Sequence, residues 1–179
     1  MGLVEAKMKI LEVLWTVGTP MKSRDVAQKL GLGIAATTMH LLGLRRGGHV
    51  STPRHGLYAI TELGKETIGL PKIDNKQAAR ILSQVPVDKA FHFYSGMHQY
   101  THVIAHNLAE FVASLEKIDV KSVEFHLLRK DFENWIQGLG DVELARRLAL
   151  IRSSSVQGED LRTRVYEAAK HRLQELRCV

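Results

Sequence analysis

Apolar residues recur at helical spacing from the start of this chain: Leu3, Ile10, Leu11, Leu14 and Val17 share one face, and the run stops at Gly18. That pattern predicts an amphipathic helix over residues 3–17, broken by Thr19-Pro20. Ser23 is placed to cap a short helix through Leu30, with Asp25 in its first turn, and Gly31-Leu32-Gly33 forces a turn. A third helix follows over Ile34–Arg46 and closes at Gly47-Gly48. His49–Thr52 and Leu57–Ile60 then read as a small β-hairpin around the turn Pro53–Gly56, and Thr61 caps a helix over Glu62–Ile68.

Residues 71–75 read as a linker between a first domain, 1–70, and a second, 76–179, with Asp74 or Asn75 capping the helix that follows. The second domain is patterned as helices over 76–84, 98–118, 122–130, 131–137, 141–152 and 159–177. Ser122, Asp131 and Asp141 are the expected caps, and Ala90–Tyr94 is a brief aromatic, extended stretch. Ile104, Leu108, Phe111, Leu115 and Ile118 form the stripe of the long helix; Leu161, Val165, Ala168 and Leu176 form that of the last. The second domain therefore reads as an all-α bundle with its own core.

The order helix, helix, glycine turn, helix, hairpin, together with the run RDVAQKLGLGIAATTMHLLGLRRGGHV (Arg24–Val50), resembles the winged helix-turn-helix of bacterial and archaeal regulators. Ala27 sits where the two helices would touch, Gly31 at the turn, and Gly48 before the first wing strand. GLYAITELGKE (Gly56–Glu66) resembles the second wing strand and the turn after it. The resemblance implies a mainly α fold with a small β-hairpin wing and a DNA-binding regulator. In the second domain, AFHFY (Ala90–Tyr94) and SVEFHLLRKDFENWI (Ser122–Ile136) resemble an archaeal domain family of unknown function, which implies a helical domain and no activity.

Charge points the same way as the first resemblance. The 179 residues carry a net charge of +6, and residues 1–70 hold nine lysines and arginines against five acidic residues, which favours a polyanion as partner. On the third helix, Thr37, Leu41 and Leu44 face inward onto Ala27 and Leu30. The outer face holds Ala35, Ala36, Thr38, Met39, Leu42, Gly43 and Arg46. Base readout usually takes Arg, Lys, Asn or Gln there; here Thr38 is left for a base edge or phosphate, and Ala35 and Met39 for thymine methyls. Lys22, Arg24, Arg45, Arg46, Arg54 and His55 are placed to grip phosphates. The alternative is that the same small, apolar face docks a protein.

In the second domain Phe125, Phe132 and Trp135 are expected in the core, beside a charged cluster of Glu124, His126, Arg129 and Asp131. That cluster reads either as a structural ion-pair network or, with Tyr94 and Trp135, as a small-molecule pocket. An enzyme centred on Glu124, His126 and Asp131 is a third reading. His98, His102 and His106, with Glu110 beyond, would stack on one helix face opposite the apolar stripe. A pair at that spacing can chelate a transition metal, yet a closed site needs about four ligands, so a solvated polar face and no metal are expected. Phosphate-loop, dinucleotide and nucleophile-elbow motifs are absent, and the single cysteine, Cys178, stands one residue from the end. The expectation is a non-enzyme without cofactor. An uninterrupted apolar run long enough for a membrane is missing, and Glu5 and Lys7 interrupt any secretion signal, so a cytoplasmic protein is expected. The expected partners are double-stranded DNA, a second copy of the chain pairing through helices 98–118 and 159–177, and a small-molecule effector.

Overall fold

The computed structural model describes residues 2–179, and the side chain of Leu3 lies outside what is described. The chain is mainly helical with a small proportion of antiparallel sheet, and it divides into two compact units, Met1–Lys72 and Ile73–Val179.

The first unit opens with α1 (Leu3–Val17), which ends on left-handed Gly18 and buries Ala6, Ile10, Leu11, Leu14 and Trp15. A two-residue strand, β1 (Met21–Lys22), leads into α2 (Ser23–Leu30), whose C-cap is left-handed Gly31. Ser23 is not the cap. Lys22 holds that place with extended backbone because β1 is paired to the sheet, and no side chain caps the helix. Next come α3 (Ile34–Arg46), the hairpin β2 (Val50–Arg54) and β3 (Leu57–Ile60), and α4 (Glu62–Thr67), capped by the Thr61 hydroxyl accepting from Gly64 N–H. The three strands lie in the order β1-β3-β2, all antiparallel. On α3, Thr37, Leu41 and Leu44 are buried, facing α2 with its buried Val26 and Ala27; Leu30 is only half-buried.

Leu70 is buried and Ile73 packs against the second core, and Pro71 and Lys72 between them are exposed. The second unit runs α5 (Asn75–Leu82), a 3-10 turn at Val87–Lys89, β4 (Phe91–Tyr94), β5 (Tyr100–Ala105), α6 (Leu108–Leu115), α7 (Val120–Leu128), α8 (Asp131–Leu139), α9 (Val142–Arg152) and α10 (Gly158–Arg177). Asp74 caps α5 in a reciprocal box with Gln77. Its core is aromatic at the centre: Phe91, Phe93, Phe111 and Phe132 pack with ring centroids 4.9–6.1 Å apart, most pairs edge to face, Phe93 stacked on Phe111 and Phe91 tilted against Phe132.

Two expectations for this unit are overturned. It is not all helix, and residues 98–118 are not one helix. Tyr100–Ala105 pairs with Phe91–Tyr94 in an antiparallel hairpin, and the helix begins only at Leu108. Thr101, Val103 and Ile104 are β-branched and Tyr100 aromatic, types that favour a pleated surface. Thr101 Oγ1 also donates to the Phe93 carbonyl at 2.7 Å, stitching the strands. Asn107 then caps α6 by accepting from Glu110 N–H, while Glu110 accepts from His106 N–H. The capping expectations for α7 and α8 also shift. Asp119, not Ser122, caps α7, and Ser122 is buried. Lys130, left-handed at φ 66°, stands at the cap position of α8, which frees the Asp131 side chain for other contacts.

The last helix buries Leu161, Val165, Ala169, Leu173 and Leu176, with Ala168 only partly buried, against α5, α6, α7 and α9. Its apolar face is thus consumed within the unit. Residues 98–118, expected with 159–177 to pair two chains, are not one helix, and the apolar residues of the shortened α6 are also core. Among the described residues, no helix is long and apolar enough to cross a membrane.

Candidate functional site

Two sets of side chains in two different units stand out. In the first unit Lys22, Arg24, Arg45, Arg46, Arg54 and His55 are all exposed. Arg24 lies 3.8 Å from Asp25, which offsets its charge locally. Lys22, Arg45, Arg46 and Arg54 form no ion pair among the described residues. The strand register adds what the linear order hides. Lys22 on β1 and Arg54 on β2 both pair with Leu57 on β3, so the two cations occupy one rung of the sheet and point to one side of it. On α3, Met39 is exposed, and the half-buried Thr38 spends its hydroxyl proton on the Ile34 carbonyl at 2.8 Å.

In the second unit, a cleft of about 440 Å³ lies beside His126. The His126 ring is buried in the aromatic core, 4.8 Å from Phe91. Its Nε2 accepts a 2.7 Å hydrogen bond from the Tyr94 backbone N–H, which can only donate. The ring proton therefore sits on Nδ1 and is donated to Asp131 Oδ2 at 2.8 Å. That one bond to Tyr94 joins the two motifs AFHFY and EFH..R.DF..W. Burial holds the His126 pKa below the usual histidine range; the Asp131 carboxylate opposes that shift without cancelling it, and nearby Arg129 reinforces it. Asp131 Oδ2 also accepts from Arg129 Nε at 3.2 Å, and the guanidinium lies 5.0 Å above the Phe125 ring. Tyr94, Phe125, His126, Arg129 and Asp131 line the cleft together.

Other members of the expected cluster lie elsewhere. Glu124 accepts from Gly158 N–H at 2.9 Å, fastening α7 to the start of α10 over a different hollow. Trp135 donates from Nε1 to the Lys89 carbonyl at 2.9 Å, with its ring against Phe91 and Phe111, and does not line the cleft. Phe125, expected in the core, is a partly exposed wall of the cleft. Glu124, His126 and Asp131 therefore do not form one catalytic group, and the His126 lone pair a general base would need is already engaged.

The histidine stripe dissolves with the helix that carried it. His98 lies in the hairpin turn and His102 in β5, both left-handed at φ 60°, while His106 precedes α6 with Nδ1 3.2 Å from the Val85 carbonyl. Among the described residues no three His, Cys, Asp or Glu side chains converge as a cation site would require.

One buried polar group has no signature in the local sequence. Arg172 on α10 donates from Nε to Asp141 Oδ2 at 2.8 Å and from Nη1 to Glu143 at 3.0 Å and Glu175 at 3.1 Å. Burial opposes its charge, but the bonds to these carboxylates outweigh that and raise its pKa further. Asp141 Oδ1 meanwhile caps α9 through Leu144 N–H.

A family model described as Family of unknown function (DUF5752) matches residues 58–170, more than half of the chain, from β3 to within α10. No curated protein and no solved structure matches.

Proposed function

The chain belongs to the family of unknown function DUF5752, and from its own side chains we propose that it is a DNA-binding transcriptional regulator. In this reading residues 2–72 are a winged helix-turn-helix, with α2 and α3 as the helix-turn-helix and β2–β3 as the wing. The second unit then serves sensing or dimerisation. The observation that carries the proposal is the shared rung of Lys22 and Arg54. Two exposed, unneutralised cations stand two strand spacings apart, about 10 Å, on one side of the sheet. Arg45 and Arg46 add two more at the end of α3. Exposed cations outside any ion pair are what a phosphate backbone recruits, and they give affinity without sequence preference.

A salt-titrated binding assay on random duplex tests this. Replacing Lys22, Arg45, Arg46 and Arg54 with Ala weakens binding at every sequence. Each phosphate no longer gripped takes about 0.9 from the slope of log K against log salt, so up to about 3.6 for four of them. An unchanged slope removes these residues from the interface. Binding as a homodimer to a palindromic site belongs to the same proposal and is checked by light scattering of the chain with and without duplex.

A second reading rests on Met39, which is 64% exposed on α3 with exposed Ala35 and Ala36 beside it. Apolar side chains on that face suit docking of a protein. Failure of the parent chain to bind any duplex at low salt selects this reading over the first.

A further inference from the structure

The cleft beside His126 has the size and walls of a small-molecule site. Its volume of about 440 Å³ lies within the range such sites occupy, and Phe91, Tyr94 and Phe125 give it aromatic walls. Its polar groups are not equivalent. His126 is neutral with both nitrogens engaged, and Asp131 Oδ2 already receives two donors. Arg129 differs. Its Nε is bonded to Asp131 and its Cζ lies 5.0 Å over the Phe125 ring, two contacts that restrict where its terminal nitrogens point. The acceptor near them is Met97 Sδ, 3.7 Å from Nη1, a weak acceptor on an unbranched chain that is 66% exposed. A poor acceptor thus occupies the place that an anionic oxygen would take on this guanidinium.

Backbone strain borders the same cleft. Lys130, which separates Arg129 from Asp131, and His98, which lines the cleft, are both left-handed non-glycine residues. Each conformation is unfavourable for a residue that carries a side chain and persists only where the surroundings enforce it, which is common at ligand sites. The lining has one arginine and, beside it, the Asp131 carboxylate, a balance that suits a monoanion and opposes a doubly charged phosphate.

We propose that this cleft binds a small aromatic acid, with its ring against Phe91, Tyr94 and Phe125 and its carboxylate on the terminal nitrogens of Arg129, displacing Met97. The inference rests on the regulator reading only for its purpose, where it names the class of effector. The binding itself belongs to the second unit.

Calorimetric titration of the full chain with phenylacetate and, separately, with its neutral analogue phenylacetamide tests it without DNA, so its failure is distinct from failure of duplex binding. The expected result is at least tenfold tighter binding of the acid, accompanied by a saturable change in Trp135 emission, since that ring lies 5.5 Å from Phe91. Arg129→Met abolishes the preference for the acid. The comparison of acid with amide needs no variant, so it decides the matter even if Arg129→Met unfolds. Equal binding of the two compounds, absence of saturation by millimolar phenylacetate, or an undiminished preference in a folded Arg129→Met chain each overturns the proposal.

Discussion

Replacing Arg172 with Met is the perturbation that tests most directly how the second unit is held together. Arg172 is 7% exposed, and its partners Asp141 and Glu143 are 0% and 5% exposed. Met matches the aliphatic stem but removes the charge, leaving the buried Asp141 carboxylate without its cation and Glu143 with one cation fewer, Arg147 remaining 3.3 Å away. Breaking a buried pair in this way costs about 3–5 kcal/mol, because the stranded charge stays out of water. With a urea dependence of about 1–3 kcal/mol per molar, the unfolding midpoint falls by at least about 1 M. The two tryptophans allow each unit to be read alone: Trp15 belongs to the first and Trp135 to the second. Urea unfolding followed by Trp135 emission in a Trp15→Phe background therefore reports the second unit. If stranded charge is the cause, removing it must help. Asp141→Asn with Glu143→Gln does so, and Asn still caps Leu144 N–H. Added to Arg172→Met, these changes recover most of the missing stability. A midpoint unmoved by Arg172→Met refutes the reasoning, and so does a triple variant no more stable than the single one.

The remaining predictions concern acid and two glycines. The His126 pKa is lowered in the folded chain, so as pH falls through the ordinary histidine value of about 6.5 the unfolded chain takes up a proton first. The second unit accordingly loses stability from that point down to the folded pKa. His126→Gln removes this contribution, and the gap in thermal midpoint between parent and variant, followed by Trp135, shifts against the parent between about pH 7.5 and pH 5.5; a gap that moves the other way refutes the assignment. Gly64→Ala drives a methyl into the His49 carbonyl oxygen and Ile60 and destabilises the first unit by about 1–3 kcal/mol or more. Gly138→Ala, inside α8 with open space around it, instead stabilises the second unit by about 0.4–1 kcal/mol; paired urea melts read by Trp15 and by Trp135 check the opposite signs.

The α3 helix and the expected histidine-lined helix show where local pattern is enough and where it misleads. The α3 helix runs from Ile34 to Arg46 with Thr37, Leu41 and Leu44 inward, as its spacing implies, because glycines on both sides punctuate the run and helix periodicity is a local property. Residues 98–107 misled because Ile104, Leu108, Phe111 and Leu115 satisfy helical spacing by coincidence of a strand end with a helix start. A signal was available: Asn107 followed by Glu110 is a capping pair, and it puts the helix start well beyond the expected His98. The grouping of Glu124 with His126 was avoidable too, since residues two apart on a helix do not face each other.

What the sequence determined by itself is therefore the local part: most helices, the hairpin of the first unit, the division near residue 72, the excess of positive charge and the aromatic character of the second core. The rest came from packing between distant segments. Strand β1 exists because Met21 and Lys22 meet Tyr58 and Leu57, and that pairing alone brings Lys22 level with Arg54. His126 becomes a neutral, fully engaged group only through Tyr94, 32 residues earlier, and through the left-handed turn at Lys130 that returns Asp131 to it. Arg172 finds its buried acids about thirty residues back along the chain. Each of these depends on which distant segments burial of apolar surface forces together, and burial is a property of the packed chain that no window of neighbouring residues contains.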